Sequence, residues 1–220
     1  MNQTALPGLL KKHQPAFHPV VPFNAAAEKI IAFDFTEKNK NLTESIVKVT
    51  NKFSYFFFFL FESNKAKFGI GGYNEHRTVY SRSKLFGSSE AHSAVENGAE
   101  SEPRRLHLGI DIWGQSGTAV MAPIDGIVHS YAFNNNFGDY GATIILTHRV
   151  EGITFHILYG HLSLNSLKNL QQGQHINKGD VFAEFGMIFE NGHWPPHLHC
   201  QVIIDMQGMQ GDYPGVCRYN

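Results

Sequence analysis

Four residues of this chain have the types and spacing to do metal chemistry together. His107 and Asp111 flank Leu108-Gly109-Ile110, and His197-Leu198-His199 follows much later. On a strand, side chains two apart share a face with Cα atoms roughly 6.5–7 Å apart, so one of His197 and His199 can bind a metal while its neighbour stays a free base. His107 and Asp111 also share parity, but a straight strand would hold them roughly 13 Å apart, too far for two ligands whose bonds to zinc are each about 2 Å long. The chain must therefore bend between them, and Gly109 permits the bend. Two imidazoles and a carboxylate leave a fourth position for water, which is the open arrangement of a hydrolytic zinc site.

A third motif, Tyr159-Gly160-His161-Leu162-Ser163, lies between the other two. The ordered set His-x-x-x-Asp, Tyr-Gly-His-Leu-Ser and His-x-His resembles the core of the lysostaphin/LytM-type zinc endopeptidases, which cut peptide bonds in bacterial cell-wall peptidoglycan. The resemblance covers about residues 104–205. It implies one zinc ion per chain held by His107, Asp111 and His199, with His161 and His197 as general base and transition-state stabiliser in an order that spacing does not settle. The implied function is a zinc-dependent endopeptidase hydrolysing peptide bonds in peptidoglycan or related peptides through a metal-activated water. Zinc would polarise the scissile carbonyl and bring its water's pKa toward ~7, and a neutral histidine would take the proton.

Several neighbours are weighed beside these five. Tyr159, two residues before His161, would share its face on a regular strand and donate a hydrogen bond to the intermediate; packing in the core is the alternative. In the family that the chain resembles, an upstream residue can fill zinc's fourth position in a latent form. The segment Gly72-Tyr73-Asn74-Glu75-His76-Arg77 offers Asn74 first, with Glu75 and His76, unless Glu75 and Arg77 make ion pairs or line the groove. His148 and His156 flank the hairpin that carries His161, so either could approach the site. Cys200 stands where such proteins usually carry an aromatic residue, which bears on the packing behind the site and not on the ligands. Two other readings compete. One is a catalytically inactive relative acting as a binding or activating module, which lost ligands would mark. The other is a biotinyl/lipoyl-like carrier domain, suggested by Ala122 to Val128 and by Lys178-Gly179-Asp180, but without the exposed lysine flanked by small apolar residues that a carrier needs.

The elements that must position these residues read as mainly β. From Thr118 onward the pattern predicts a strand over Val120–Phe133 broken by a turn, a hairpin of Ala142–His148 with Ile153–Tyr159 across Glu151-Gly152, and strands Val181–Phe185 and Leu198–Ile204. Leu164–Leu170 reads as a short helix. The fold class is an antiparallel sheet or β-sandwich-like barrel of the lysostaphin type with a small mixed N-terminal extension. Residues 1–66 form that extension, 67–210 the peptidase domain and 211–220 a tail. Within the extension, residues 1–22 read as an extended arm and Asn24 caps a short helix running to Ile31. The apolar run Phe53–Phe61 reads as a buried strand paired with 66–72, and residues 83–105 as a long polar loop.

Composition narrows the partners. A formal net charge of −1 gives no electrostatic case for nucleic acid or an anionic membrane surface. The most hydrophobic segment, Phe53–Phe61, is nine residues long, too short for a bilayer, which needs about twenty, so no transmembrane segment is expected. Met1 to Pro22 lacks the apolar core of a secretory signal, which reads as cytoplasmic although the resembling family acts in the periplasm or cell wall. Two cysteines, Cys200 and Cys217, read as free thiols.

Overall fold

The computed structural model describes residues 5–87 and 102–219. In chain order the N-terminal elements are helix α1 (Leu6–His13), strand β1 (Ile30–Phe33), helices α2 (Glu44–Val47) and α3 (Thr50–Asn64), and strand β2 (Phe68–Gly71). Ten strands follow: β3 (Leu106–His107), β4 (Ile110–Trp113), β5 (Ala119–Met121), β6 (Gly126–Asn134), β7 (Gly141–Val150), β8 (Ile153–Leu162), β9 (His175–Ile176), β10 (Val181–Glu184), β11 (His197–Ile203) and β12 (Val216–Cys217). Among the described residues, β1, β2 and six of these ten make one open eight-stranded sheet in the order β1-β2-β4-β11-β8-β7-β6-β9. Only β1 and β2 run parallel among these neighbours. The pairs β5–β10 and β3–β12 stand beside it. The fold is thus mainly β, with a mixed rather than a purely antiparallel sheet that does not close into a barrel.

The expected hairpin forms between β7 and β8. Glu151 and Gly152 turn it with φ of 47° and 85°, the two positive values that match the right-handed twist of paired strands. Its centre is covered on both faces. Ile144, Leu146, Phe155, Ile157 and Tyr159 enter the main core, while Ile145 and Leu158 meet Ile203 and Met206 on the other side. The strand expected over Val120–Phe133 divides at its turn into β5 and β6, and the strand near the C-terminus is β11. The short helix expected at Leu164–Leu170 is a single 3-10 turn over Leu164–Leu167.

The N-terminal part differs most from expectation. Residues 1–22 do not form an extended arm throughout. Pro7 lies in the first turn of α1, where its missing N–H costs nothing, and Leu6 and Val21 anchor the segment in the main core. Asn24 does accept a hydrogen bond from the Ala26 amide at 3.0 Å, yet the segment closes as a turn. Ile30 and Ile31, β-branched and half-buried in alternation, pair with Phe68 and Gly69 instead of continuing a helix.

Phe53–Phe61 is the larger correction, because it is helix α3 and not a strand. Phe53 and Phe57, four apart, are buried on one face, and Phe57 stacks on Trp113 with ring centroids 4.4 Å apart. Tyr55, Phe58 and Phe59 face outward on the other side. A continuous apolar run carries neither period, so it cannot by itself separate strand from helix. Of the long loop expected over 83–105, Lys84–Phe86 is a 3-10 turn, and 88–101 lie outside the described residues. Among the described residues no helix is long and apolar enough to cross a membrane. Cys200 and Cys217 are free thiols.

Candidate metal centre and active site

Three strands bring the expected ligands together. β4 pairs with β11 so that Asp111 lies opposite His199, and β3 precedes β4 across the Leu108-Gly109 bend. The ligand atoms of His107, Asp111 and His199 all fall within 4.8 Å of one another. Gly109 does more than permit the bend: a Cβ there would sit 2.5 Å from Cε1 of His199. Only a residue without a side chain leaves that imidazole its place.

Hydrogen bonds fix which ring nitrogen each histidine presents. A carbonyl can only accept, so the 2.9 Å contact from His107 Nδ1 to the Gly72 oxygen makes Nδ1 the donor and leaves Nε2 bare. Gln201 donates through Nε2 to the Pro214 carbonyl at 3.1 Å, which turns its Oε1 toward Nε2 of His199 at 3.0 Å. His199 therefore donates through Nε2 and leaves Nδ1 bare. The two bare nitrogens lie 3.0 Å apart, and Asp111 Oδ1 is 3.0 Å from His199 Nδ1 and 3.3 Å from His107 Nε2. Three acceptors converge with no donor between them. That arrangement is repulsive without a cation and fits one: two imidazoles and one carboxylate oxygen are a zinc-type donor set.

Electrostatics agree with that donor set. Burial lowers the His107 imidazole and so keeps it neutral, as a ligand must be. Burial opposes ionisation of Asp111, but the Arg77 guanidinium paired with its Oδ2 helps hold the carboxyl well below the usual range.

His161 and His197 stand beside this group. Their rings are 4.0 Å apart, and His161 is 6.3 Å from His199. Each spends Nδ1 on a backbone carbonyl: His161 on Asn191 at 2.8 Å, His197 on Pro195 at 2.8 Å. Each thus keeps a bare Nε2. Burial, then the neighbouring His197 and His199, hold His161 well below the usual imidazole range, and burial pushes His197 down to about 4. Both rings are therefore neutral bases near neutral pH.

The backbone explains how His161 reaches the cleft. Its φ is +62°, uncommon for a residue with a side chain, and the β7–β8 register shifts between Ala142 and Ile144 just beside it. This kink breaks the alternation that would have put Tyr159 on the same face. Tyr159 instead points into the main core against Phe182, and its hydroxyl finds no partner among the described residues. Tyr140, from the turn before β7, takes the cleft position, 5.6 Å from His161 and 5.1 Å from His199.

Other expected positions are elsewhere. Asn74 is exposed, does not line the cleft, and engages the site only through its amide to the His107 carbonyl at 2.9 Å. His148 bonds the Asp125 carbonyl and His156 the Thr147 hydroxyl, and neither lines the cleft.

Comparison with known proteins fits this geometry. Residues 105–211 match Peptidase family M23. They form an M23 peptidase domain. DD-carboxypeptidase/endopeptidase Mpg of Neisseria meningitidis is 32% identical over 138 residues, which is 62% of this chain and 28% of that protein. An uncharacterized metalloprotease of Haemophilus influenzae is 34% identical over 102 residues, 46% of this chain and 19% of the other. The chain thus spans less than a third of the relatives it matches. The catalytic domain of the antimicrobial peptidase lysostaphin from Staphylococcus simulans is 23% identical, with 60% of this chain and 82% of that one covered at a TM-score of 0.37.

Within the M23 domain, Gln201 and Tyr140 contribute to the site without having been singled out in the sequence. Gln201 had a usable signal, being two residues after His199 on one strand and so on its face. Tyr140 had none beyond a glycine-flanked turn. Arg77 and Glu75 reach the site from outside the matched residues 105–211: Arg77 pairs with Asp111 and, through Nε at 2.6 Å, with Glu75.

Proposed function

We propose that this protein is a zinc-dependent endopeptidase acting on peptide bonds of peptidoglycan or related peptides. The reading rests on one observation above all: three bare acceptor atoms of His107, Asp111 and His199 face one another, and two further bare imidazole nitrogens, of His161 and His197, line the cleft with Asp111 and His199. A zinc ion bound there would supply Lewis acidity toward a peptide carbonyl and a water.

The residues of the chain do the rest. His107 and His199 present fixed nitrogens because Gly72 and Gln201 hold their other ring positions. His161 and His197, neutral and oriented by backbone carbonyls, take the proton of an attacking water and return it to the leaving amine. Trp113, Trp194 and Phe86 wall the cleft with apolar surface, which excludes bulk water from these groups. Membership in a peptidase family and the likeness to a protein named DD-carboxypeptidase/endopeptidase support a peptide substrate of the cell wall.

The test is incubation of the purified protein with wall fragments, with and without a chelator, followed by identification of new termini by mass spectrometry. New amine and carboxyl ends that vanish with chelator and return with zinc support the reading. No cleavage by zinc-loaded protein, or cleavage indifferent to chelation, would overturn it.

A further inference from the structure

Arg77 is the one fully buried arginine in contact with an expected ligand among the described residues, at 1% exposure. Every branch of its guanidinium is engaged. Nη1 donates to Asp111 Oδ2, Nε to Glu75 Oε2 at 2.6 Å and Nη2 to the Gly72 carbonyl at 3.2 Å, while the plane lies 4.8 Å from the Phe35 ring. Glu75 is held in turn by the Phe35 amide at 3.2 Å. The Gly72 oxygen that receives Nη2 is the same one that fixes His107 Nδ1. The backbone has made room for this fork: a Cβ on Gly71 would lie 2.7 Å from Nη2. Asp111 therefore has one oxygen committed to Arg77 and one turned toward the two histidines.

We infer that Arg77 is a positioning residue of the metal centre, which occupies Asp111 Oδ2 and so restricts the carboxylate to coordination through Oδ1 alone. The inference rests on the zinc reading given above. A carboxylate facing a divalent cation can bind through one oxygen or both, and the two-oxygen mode consumes a coordination position. A charge-assisted bond from a planar, rigid fork holds Oδ2 away from the cation and fixes the carboxylate plane. The fourth position is thereby kept for water and substrate. Sharing of the Gly72 carbonyl couples the orientation of Asp111 to that of His107, so one upstream loop sets two ligands. A purely structural ion pair would do neither, which is what separates the two roles experimentally.

The experiment uses the full chain, wild type and the variants Arg77→Met and Arg77→Lys, each stripped and reloaded with cobalt(II) or zinc. Four-coordinate cobalt(II) absorbs more strongly in the visible than five-coordinate cobalt(II), so the band reports the mode of the carboxylate without any substrate. In Arg77→Met the band weakens as Oδ2 turns to the metal, and zinc affinity in chelator competition shifts by about 10- to 100-fold, as for other groups that orient ligands. Arg77→Lys keeps the charge and loses the fork, so it gives a change in the same direction and serves if the methionine variant does not fold. A wild-type cobalt spectrum in a folded variant, with zinc affinity within about twofold of wild type, overturns the inference and leaves the zinc reading standing. Wild-type protein that takes up neither metal overturns the zinc reading, and this inference with it.

Discussion

Trp113 lies flat against His197, with ring centroids 3.8 Å apart and planes 12° apart. The far side of the same indole stacks on Phe57 of α3 at 4.4 Å and 16°. One expected catalytic histidine is thus packed through a single aromatic ring onto the N-terminal helix that the sequence alone presented as a strand.

Replacing Trp113 with leucine removes that support. Large-to-small changes at such buried aromatic positions cost about 3 kcal/mol, and Trp113→Leu should lower the urea midpoint accordingly. Turnover should fall about tenfold or more while one zinc per chain is retained, because His197 is loosened and the ligands are not. Equal kcat in folded Trp113→Leu and wild type would show that the stack does not orient His197.

Ligand and base positions should separate cleanly. His107→Ala should lose stoichiometric zinc, since it removes one of three converging donors. His161→Asn should keep zinc and lose about 10²- to 10⁴-fold in kcat, the usual range for a general acid–base group. Metal analysis beside single-turnover rates distinguishes the two, and normal activity in both would refute the assignment of roles.

Acid should destabilise the chelated protein through its buried imidazoles. Burial lowers His148, well away from the cleft, and lowers His197 to about 4. Above the unfolded value of about 6.5 both states are neutral and the full stability is present. As pH falls below it the unfolded chain binds protons that the folded chain refuses, so stability declines until the folded value is reached. For His197 alone this loss is on the order of 3 kcal/mol by pH 4. Urea midpoints of the chelated protein that stay level between about pH 7.5 and 5 would contradict this.

Gln201→Leu offers a test of tautomer control. It removes the acceptor that holds His199 Nε2–H at 3.0 Å, freeing the ring to present either nitrogen. Zinc affinity should weaken by about 10- to 100-fold with little change in melting temperature. An unchanged affinity would mean that Asp111 and the strand alone fix the ring.

Much of this site was legible because its parts obey local rules. His197 and His199 share a strand face, the Glu151-Gly152 turn joins two apolar runs, and Gly109 marks the bend between His107 and Asp111. What escaped obeys longer-range causes. The run around Phe57 has no period, and only the packing against Trp113 decides that it is helical. Tyr159 was placed by alternation, which the positive φ at His161 interrupts. Arg77 meets Asp111 across 34 residues and from a loop after β2, a relationship no spacing encodes.

The pairing of β2 with β4 carries a practical consequence for anyone trimming the protein to its matched boundaries. A fragment of residues 105–211 would lose β2, and the hydrogen-bonding flank of β4 that it covers would face solvent along Ile110–Trp113. It would also strip Phe57 from Trp113 and leave β3 without β12. Such a raw strand margin invites pairing with other chains, so the shortened piece should precipitate or self-associate where the longer one stays dispersed.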